Sequence, residues 1–161
     1  MRRLSRWLCL GLLTSLALGG LGLAADGALA DDPPSPALTT SIAPSVPSDP
    51  VLHGVTAGGA PWVIRQSAFQ LLGNGQVVVV IRGLVIPELG TPGPVTSVEA
   101  SLYCGNETMP AATTASAPLS EKGNAVIVSR VKLPSTCLTP AVLINPNEIG
   151  SIYIATSGFS G

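Results

Sequence analysis

The stretch richest in polar chemistry is SLYCGNETMP, Ser101 to Pro110, which holds Tyr103, Cys104, Glu107 and the triplet Asn106-Glu107-Thr108. The triplet is a glycosylation sequon and fits a surface turn. Cys104 could be a nucleophile, a metal ligand or half of a disulfide. A nucleophilic thiolate needs a base beside it, and the only histidine is His53, about fifty residues upstream. A zinc site needs clustered cysteines and histidines, with spacings such as CxxC. Cys104 and Cys137 stand 33 residues apart with no histidine near either. In an exported chain such an even pair is expected to form a disulfide.

Other chemistry is thinly spread. There is no G-x-S-x-G, H-E-x-x-H, phosphate-cradling loop or calcium loop. His53, in DPVLHG, has Asp49 near it in sequence and reads as a lone linker histidine. Glycoside hydrolysis needs two facing carboxylates. Glu88, Glu107, Glu121 and Glu148 fall in turns, and Glu99 falls on the outward side of a strand. Stacking sites need aromatic platforms. Of the aromatics after the first thirty residues, Phe69 is a core residue, and Trp62, Tyr103 and Tyr153 read as flanks of the core, with a small exposed binding patch as the alternative. No metal and no cofactor is expected.

The elements that would position these residues begin after an export signal. Arg2, Arg3 and Arg6 precede an uncharged run from Trp7 to Ala25, and Ala28 and Ala30 form an A-x-A site. That order is the secretory pattern, with cleavage expected before Asp31. An uncleaved N-terminal anchor is the alternative, because about 20 apolar residues can cross a bilayer. Removing residues 1–30 leaves 131, with five basic and eight acidic side chains and a net charge of about −3. The cations are scattered, which excludes the clustered basic surface that nucleic acid demands. Residues 31–60 are proline-rich and read as a flexible linker, in which no ladder or helix persists. Residues 61–161 read as the folded domain.

Short apolar runs alternate with turn residues through that domain. WVIRQSAFQLL (62–72) and QVVVVIRGLVI (76–86) flank GNG, where Asn74-Gly75 predicts a hairpin closed by a type I′ turn. Val77 to Ile81 are β-branched without a break, as in a strand buried on both faces or in a sandwich core. VTSVEASLYC (95–104) alternates, with Val98, Ala100, Leu102 and Cys104 inward and Glu99, Ser101 and Tyr103 outward. ATTASAPL (112–119), AVIVSRVKL (125–133), PAVLINP (140–146) and SIYIATSGF (151–159) complete about seven strands. The pattern predicts an all-β, antiparallel, immunoglobulin-like sandwich with one disulfide.

The export signal, Pro-rich segment and Ala/Val/Thr/Gly-rich strands resemble exported β-sandwich proteins of high-GC bacteria. GQVVVVIRGL (75–84) and SIYIATSG (151–158) also resemble two strands of the chordin-type domain. The histidines of that family's intervening strand are absent from VEASLYC (98–104), so no histidine-borne function follows. The expected role is a secreted, non-catalytic protein with a structural or interaction role at the cell envelope or outside the cell. Its partner would be an envelope protein or polymer, without nucleic acid and without a membrane span after cleavage. The alternative is a small-ligand or surface-polymer binding module built on Trp62 and loops 87–94 and 104–111, with Tyr103, Asn106 and Tyr153 as further contacts. A hydrolase ranks third.

Overall fold

The computed structural model describes residues 34–158. The expected signal segment, its cleavage site at Ala28, Ala30 and Asp31, and Phe159 lie outside the described residues. Among the described residues there is no helix; the chain forms twelve short strands, and all pairings but one are antiparallel. The first sheet contains β1 (Pro36–Thr40), β4 (Gln66–Leu72), β5 (Gln76–Arg82) and β9 (Ala125–Arg130), in that order. The second has the order β2 (Ile42–Pro44), β12 (Ala155–Ser157), β10 (Ala141–Pro146), β6 (Ser97–Tyr103) and β7 (Ala112–Thr113), with β8 (Ala117–Pro118) also on β6. A parallel pair, β3 (Thr56–Ala57) and β11 (Ile152–Tyr153), makes a third, small sheet.

Each of the seven segments read as a strand contains at least one. Alternation explains why. In β5, Val77, Val79 and Ile81 are buried while Val78 and Val80 are only half-buried, so this run is covered fully on one face alone. The buried side chains of β5 meet Phe69 and Leu71 of β4, Ile127 of β9, Val98, Ala100 and Leu102 of β6, and Val142 and Ile144 of β10 in one core. Fully burying a side chain of this size contributes about 1.5–3 kcal/mol, so the shared core is the main force holding the two sheets together.

The hairpin at GNG is present, but its turn differs from the expected type I′. Gly75 alone has positive φ, at 84°, its N–H donates to the Leu72 carbonyl at 2.9 Å, and the Gln76 N–H donates to Asn74 Oδ1 at 3.0 Å. One left-handed residue after an i→i+3 turn is the three-residue hairpin with a glycine bulge. A side chain on Gly75 would also overlap the Val131 carbonyl oxygen.

Residues 34–60 are not the flexible linker expected of them. β1 pairs with β4, β2 with β12, and β3 with β11. Proline is tolerated because β1 and β2 are edge strands, which need backbone donors on one side only. Pro36 opens β1 and Pro44 closes β2. The chain crosses between sheets at Ser41, where Ser67 Oγ accepts from the Ile42 N–H at 2.9 Å and donates to the Ile42 carbonyl at 2.8 Å.

Segment 50–57 then folds over the far face of the second sheet. Val55, Tyr103, Leu143 and Tyr153 form a second buried cluster there, flanked by Leu52 and Ala57. This overturns the outward placement of Tyr103: period two assigned it to the solvent side, but that side is roofed.

Candidate functional site

The aromatics weighed as a possible exposed patch are all buried, in keeping with the reading that placed them against the core: Trp62 is 4 % exposed, Tyr103 2 % and Tyr153 0 %. Trp62 enters the main core and the two tyrosines the second cluster. The Tyr153 hydroxyl donates to the Pro50 carbonyl at 2.7 Å. Burial, and secondarily the charge of Asp49, raises its phenol above the usual range. Asn106 alone of the four is exposed, at the tip of the loop after β6.

That loop is held from three sides. Cys104 is disulfide-bonded to Cys137, and the Gly105 N–H donates to the Leu138 carbonyl at 2.7 Å. The His53 ring stacks on Tyr103, with centroids 4.6 Å apart and planes 17° from parallel. Its Nδ1 lies 2.8 Å from the Glu107 carbonyl oxygen, so the tautomer that fits carries its proton on Nδ1 and donates it. His53 is thus a clamp on the loop, joined to residues about fifty positions away. Burial, then the charge of Glu99, raises the Tyr103 phenol.

An accessible feature that no sequence pattern singled out is the outer face of the first sheet. β5 and β9 pair with Val78 opposite Val128 and Val80 opposite Val126. Ala68 of β4 lies opposite Val80, and Gln70 opposite Val78. Val126 is 49 % exposed and Val128 66 %. Gln76 and Arg130 face one another at one end of the stripe, Gln66 and Arg82 at the other. No acid stands on the outward positions of β4, β5 or β9. The face is therefore apolar along its middle, with an arginine at either end of the stripe. The signal was present in AVIVSRVKL, where Val126 and Val128 share the parity of Arg130, the solvent side of the strand.

An open groove of about 360 Å³ lies elsewhere, with Trp62, Ile86, Pro94, Val95 and Ile149 in its walls. Gly58 packs closely on the groove: a Cβ there would stand 3.2 Å from Ile154 Cγ2, a tight approach, and 3.5 Å from Trp62 Nε1, an ordinary contact. Asn147, the polar side chain at the rim, is already bonded, accepting from Thr96 and Ser97 and donating to the Pro94 carbonyl. Among the described residues no three or more His, Cys, Asp or Glu gather in a way that could hold a metal ion, and no helix is long and apolar enough to cross a membrane. Compared with protein-family models, curated proteins and solved structures, the chain matches none of them.

Proposed function

We propose that the chain is an exported, non-catalytic sandwich of the immunoglobulin-like class that binds a partner, at the cell envelope or outside the cell, through the outer valine face of its first sheet. The observation that carries this reading is the exposure of Val126 and Val128 in mid-strand, 49 % and 66 %, on a face with arginines and no acids. Contiguous exposed apolar surface is uncommon on monomeric soluble proteins and marks interaction sites. The two arginines favour a partner with carboxylate or phosphate groups at its rim.

The class assignment rests on two antiparallel sheets around one core and on an N-terminal segment divided between them, β1 on one and β2 on the other. The β4–β5–β9 order is a departure from the immunoglobulin arrangement, in which the second and third strands lie in different sheets. Export is supported by the pattern of residues 1–30 and by the Cys104–Cys137 bond, since disulfides persist in oxidising compartments. The chordin-type likeness rests on β5 and on the segment of β11 and β12. The non-catalytic reading rests on His53, whose ring is engaged by Tyr103 and Glu107 rather than by a nucleophile.

The test is affinity capture from the producing cell's envelope and medium with tagged protein, run beside a Val126→Thr/Val128→Thr variant. A partner retained by the wild type and lost by the variant supports the proposal. Equal recovery by both proteins, or none above background, removes it. The groove beside Trp62 favours a second reading, a binding module for small apolar ligands. Under it, ligand binding would change Trp62 fluorescence and fail in a Gly58→Val variant, while the valine substitutions would have no effect.

A further inference from the structure

The sheet edges are built unequally. β1 opens on Pro36, and its pairing with β4 slips between Pro36 and Leu38. β2 runs three residues and ends on Pro44, and β3, β7, β8 and β11 run two each. Proline, irregular register and brevity are the devices that keep an edge from pairing with another chain. β9 ends the first sheet with none of them. It runs six residues, Ala125–Arg130, without proline, and pairs with β5 without a register shift. Its Val126, Ile127 and Val128 are β-branched, the residue type best suited to a ladder.

Hydrogen bonding fixes which residues face the free side of β9. Just beyond the strand, the Val131 N–H donates to the Gly75 carbonyl at 2.8 Å. Hydrogen-bonded pairs alternate along an antiparallel ladder, so Ser129, Ile127 and Ala125 direct their backbone groups to β5. Those of Val126, Val128 and Arg130 point away from it. None of them enters a turn, loop or side-chain hydrogen bond among the described residues. The segment between β7 and β8 touches β9 on the side of Ile127, where the Ala115 N–H donates to Ser129 Oγ at 3.3 Å. Val126, Val128 and Arg130 are all exposed.

We propose that β9 is a dimerisation edge, pairing antiparallel with β9 of a second copy about a two-fold axis through Val128. The residues with free backbone groups are symmetric about that point. Val128 meets Val128 of the other copy, and Val126 meets Arg130, in pairs that each exchange two hydrogen bonds. On the exposed side the arginine stem packs along the valine. Like charges do not meet: the two Arg130 side chains stand about 14 Å apart along the ladder, beyond the screening length of about 8 Å at physiological salt. This match of the strand to its own reverse favours a second copy over a foreign strand. The contact uses the same edge on both copies, so assembly stops at two. The dimer joins two four-stranded sheets into one and sets their valine stripes side by side. It rests on the edge geometry and not on the partner reading above.

The experiment is sedimentation equilibrium on protein purified as the producing cell makes it, its monomer mass fixed by mass spectrometry. Edge pairing over six residues buries less than a standard interface of about 1,600 Å². The average mass should therefore climb from monomer toward dimer between about 10 µM and about 1 mM. Val128→Lys and Val128→Glu each set like charges face to face at the axis and should stay monomeric. Mixed in equal amounts, they should recover the dimer. Val128 is 66 % exposed, so both variants leave the core intact; thermal melts report whether each protein is folded. Val126→Thr/Val128→Thr keeps its backbone donors and should still dimerise, so failure of the dimer and failure of the partner reading are told apart. A wild type that stays monomeric at about 1 mM overturns the proposal and leaves the edge to a foreign strand. So does a folded Val128→Lys variant that dimerises as the wild type does, or a lysine–glutamate mixture that stays monomeric.

Discussion

Cys104 stands at the end of β6 and Cys137 just before β10, two strands already paired, and their Cα atoms are 5.0 Å apart. The bond spans 33 residues that include β7, β8 and β9, and these must be ordered whether or not it forms. Its main effect is thus on the unfolded chain, worth roughly 3–4 kcal/mol for a loop of this length in the chain-entropy account. Reduction, or a Cys137→Ser substitution, should lower Tm by roughly 10–20 °C. Thermal unfolding with and without reductant measures this, and an unchanged Tm would mean that the bond does not constrain the chain. Glu99 acts in the opposite direction. Its folded-state pKa is raised above the unfolded value, chiefly by burial and then by Glu148, so the folded state holds a proton that the unfolded state releases. It is harmless below the ordinary carboxylate range and destabilises as pH rises through that range. Glu99→Gln protein should therefore be more stable than wild type at about pH 7, with the advantage gone at about pH 3. Denaturant melts at the two pH values decide it; an equal difference at both would remove the titration from the account.

Among the elements, the long strands were legible and the short ones were not. β4, β5, β6, β9 and β10 each run six or seven residues and carry either the period-two alternation of β6 or an unbroken apolar run, as in Val77–Ile81 of β5 and Val142–Ile144 of β10, long enough to read as strands. β1, β2 and β3 run five, three and two residues, among prolines. Nothing local forces them to be extended: their pairing is dictated by the open edges of β4 and β12 and by β11. The same tertiary cover defeated the placement of Tyr103, because a strand's own pattern cannot register a segment folding over its outer face. The disulfide was legible because it depends on residue count and compartment rather than on packing. The place of Trp62, Tyr103 and Tyr153 against the core was legible, since large aromatics are what a chain so poor in them buries first. The reassigned segment gives a sharp test. Ile42 of β2 is 4 % exposed and belongs to the main core. Ile42→Ala should cost about 2–4 kcal/mol, where a linker position would cost nothing measurable; the midpoint of urea unfolding separates the two. A comparable backbone test is Gly123, whose φ is 68° and where a Cβ would overlap the Leu84 backbone. Gly123→Ala should destabilise by more than about 2 kcal/mol in the same assay.

For the molecule as a whole, one core shared by two sheets implies that neither sheet persists without the other. The inward residues of β5 and β9 serve that core, while the residues between them face away from it. Adjacent positions on one strand should then respond to substitution in opposite ways. Ile127 is 2 % exposed and Val128 66 %. Ile127→Ala opens a cavity between the sheets and should cost about 2–5 kcal/mol, seen as an early and single unfolding transition. Val126→Thr/Val128→Thr keeps the β-branched shape on the solvent side and should change stability by less than about 1 kcal/mol. If the outer face is the working surface, the threonine pair loses its partner at unchanged Tm, and the Ile127 variant keeps its partner at temperatures below its own transition. Loss of binding by the folded Ile127 variant together with retention by the threonine pair would reverse the assignment, moving function from the sheet's face to some feature that the core positions.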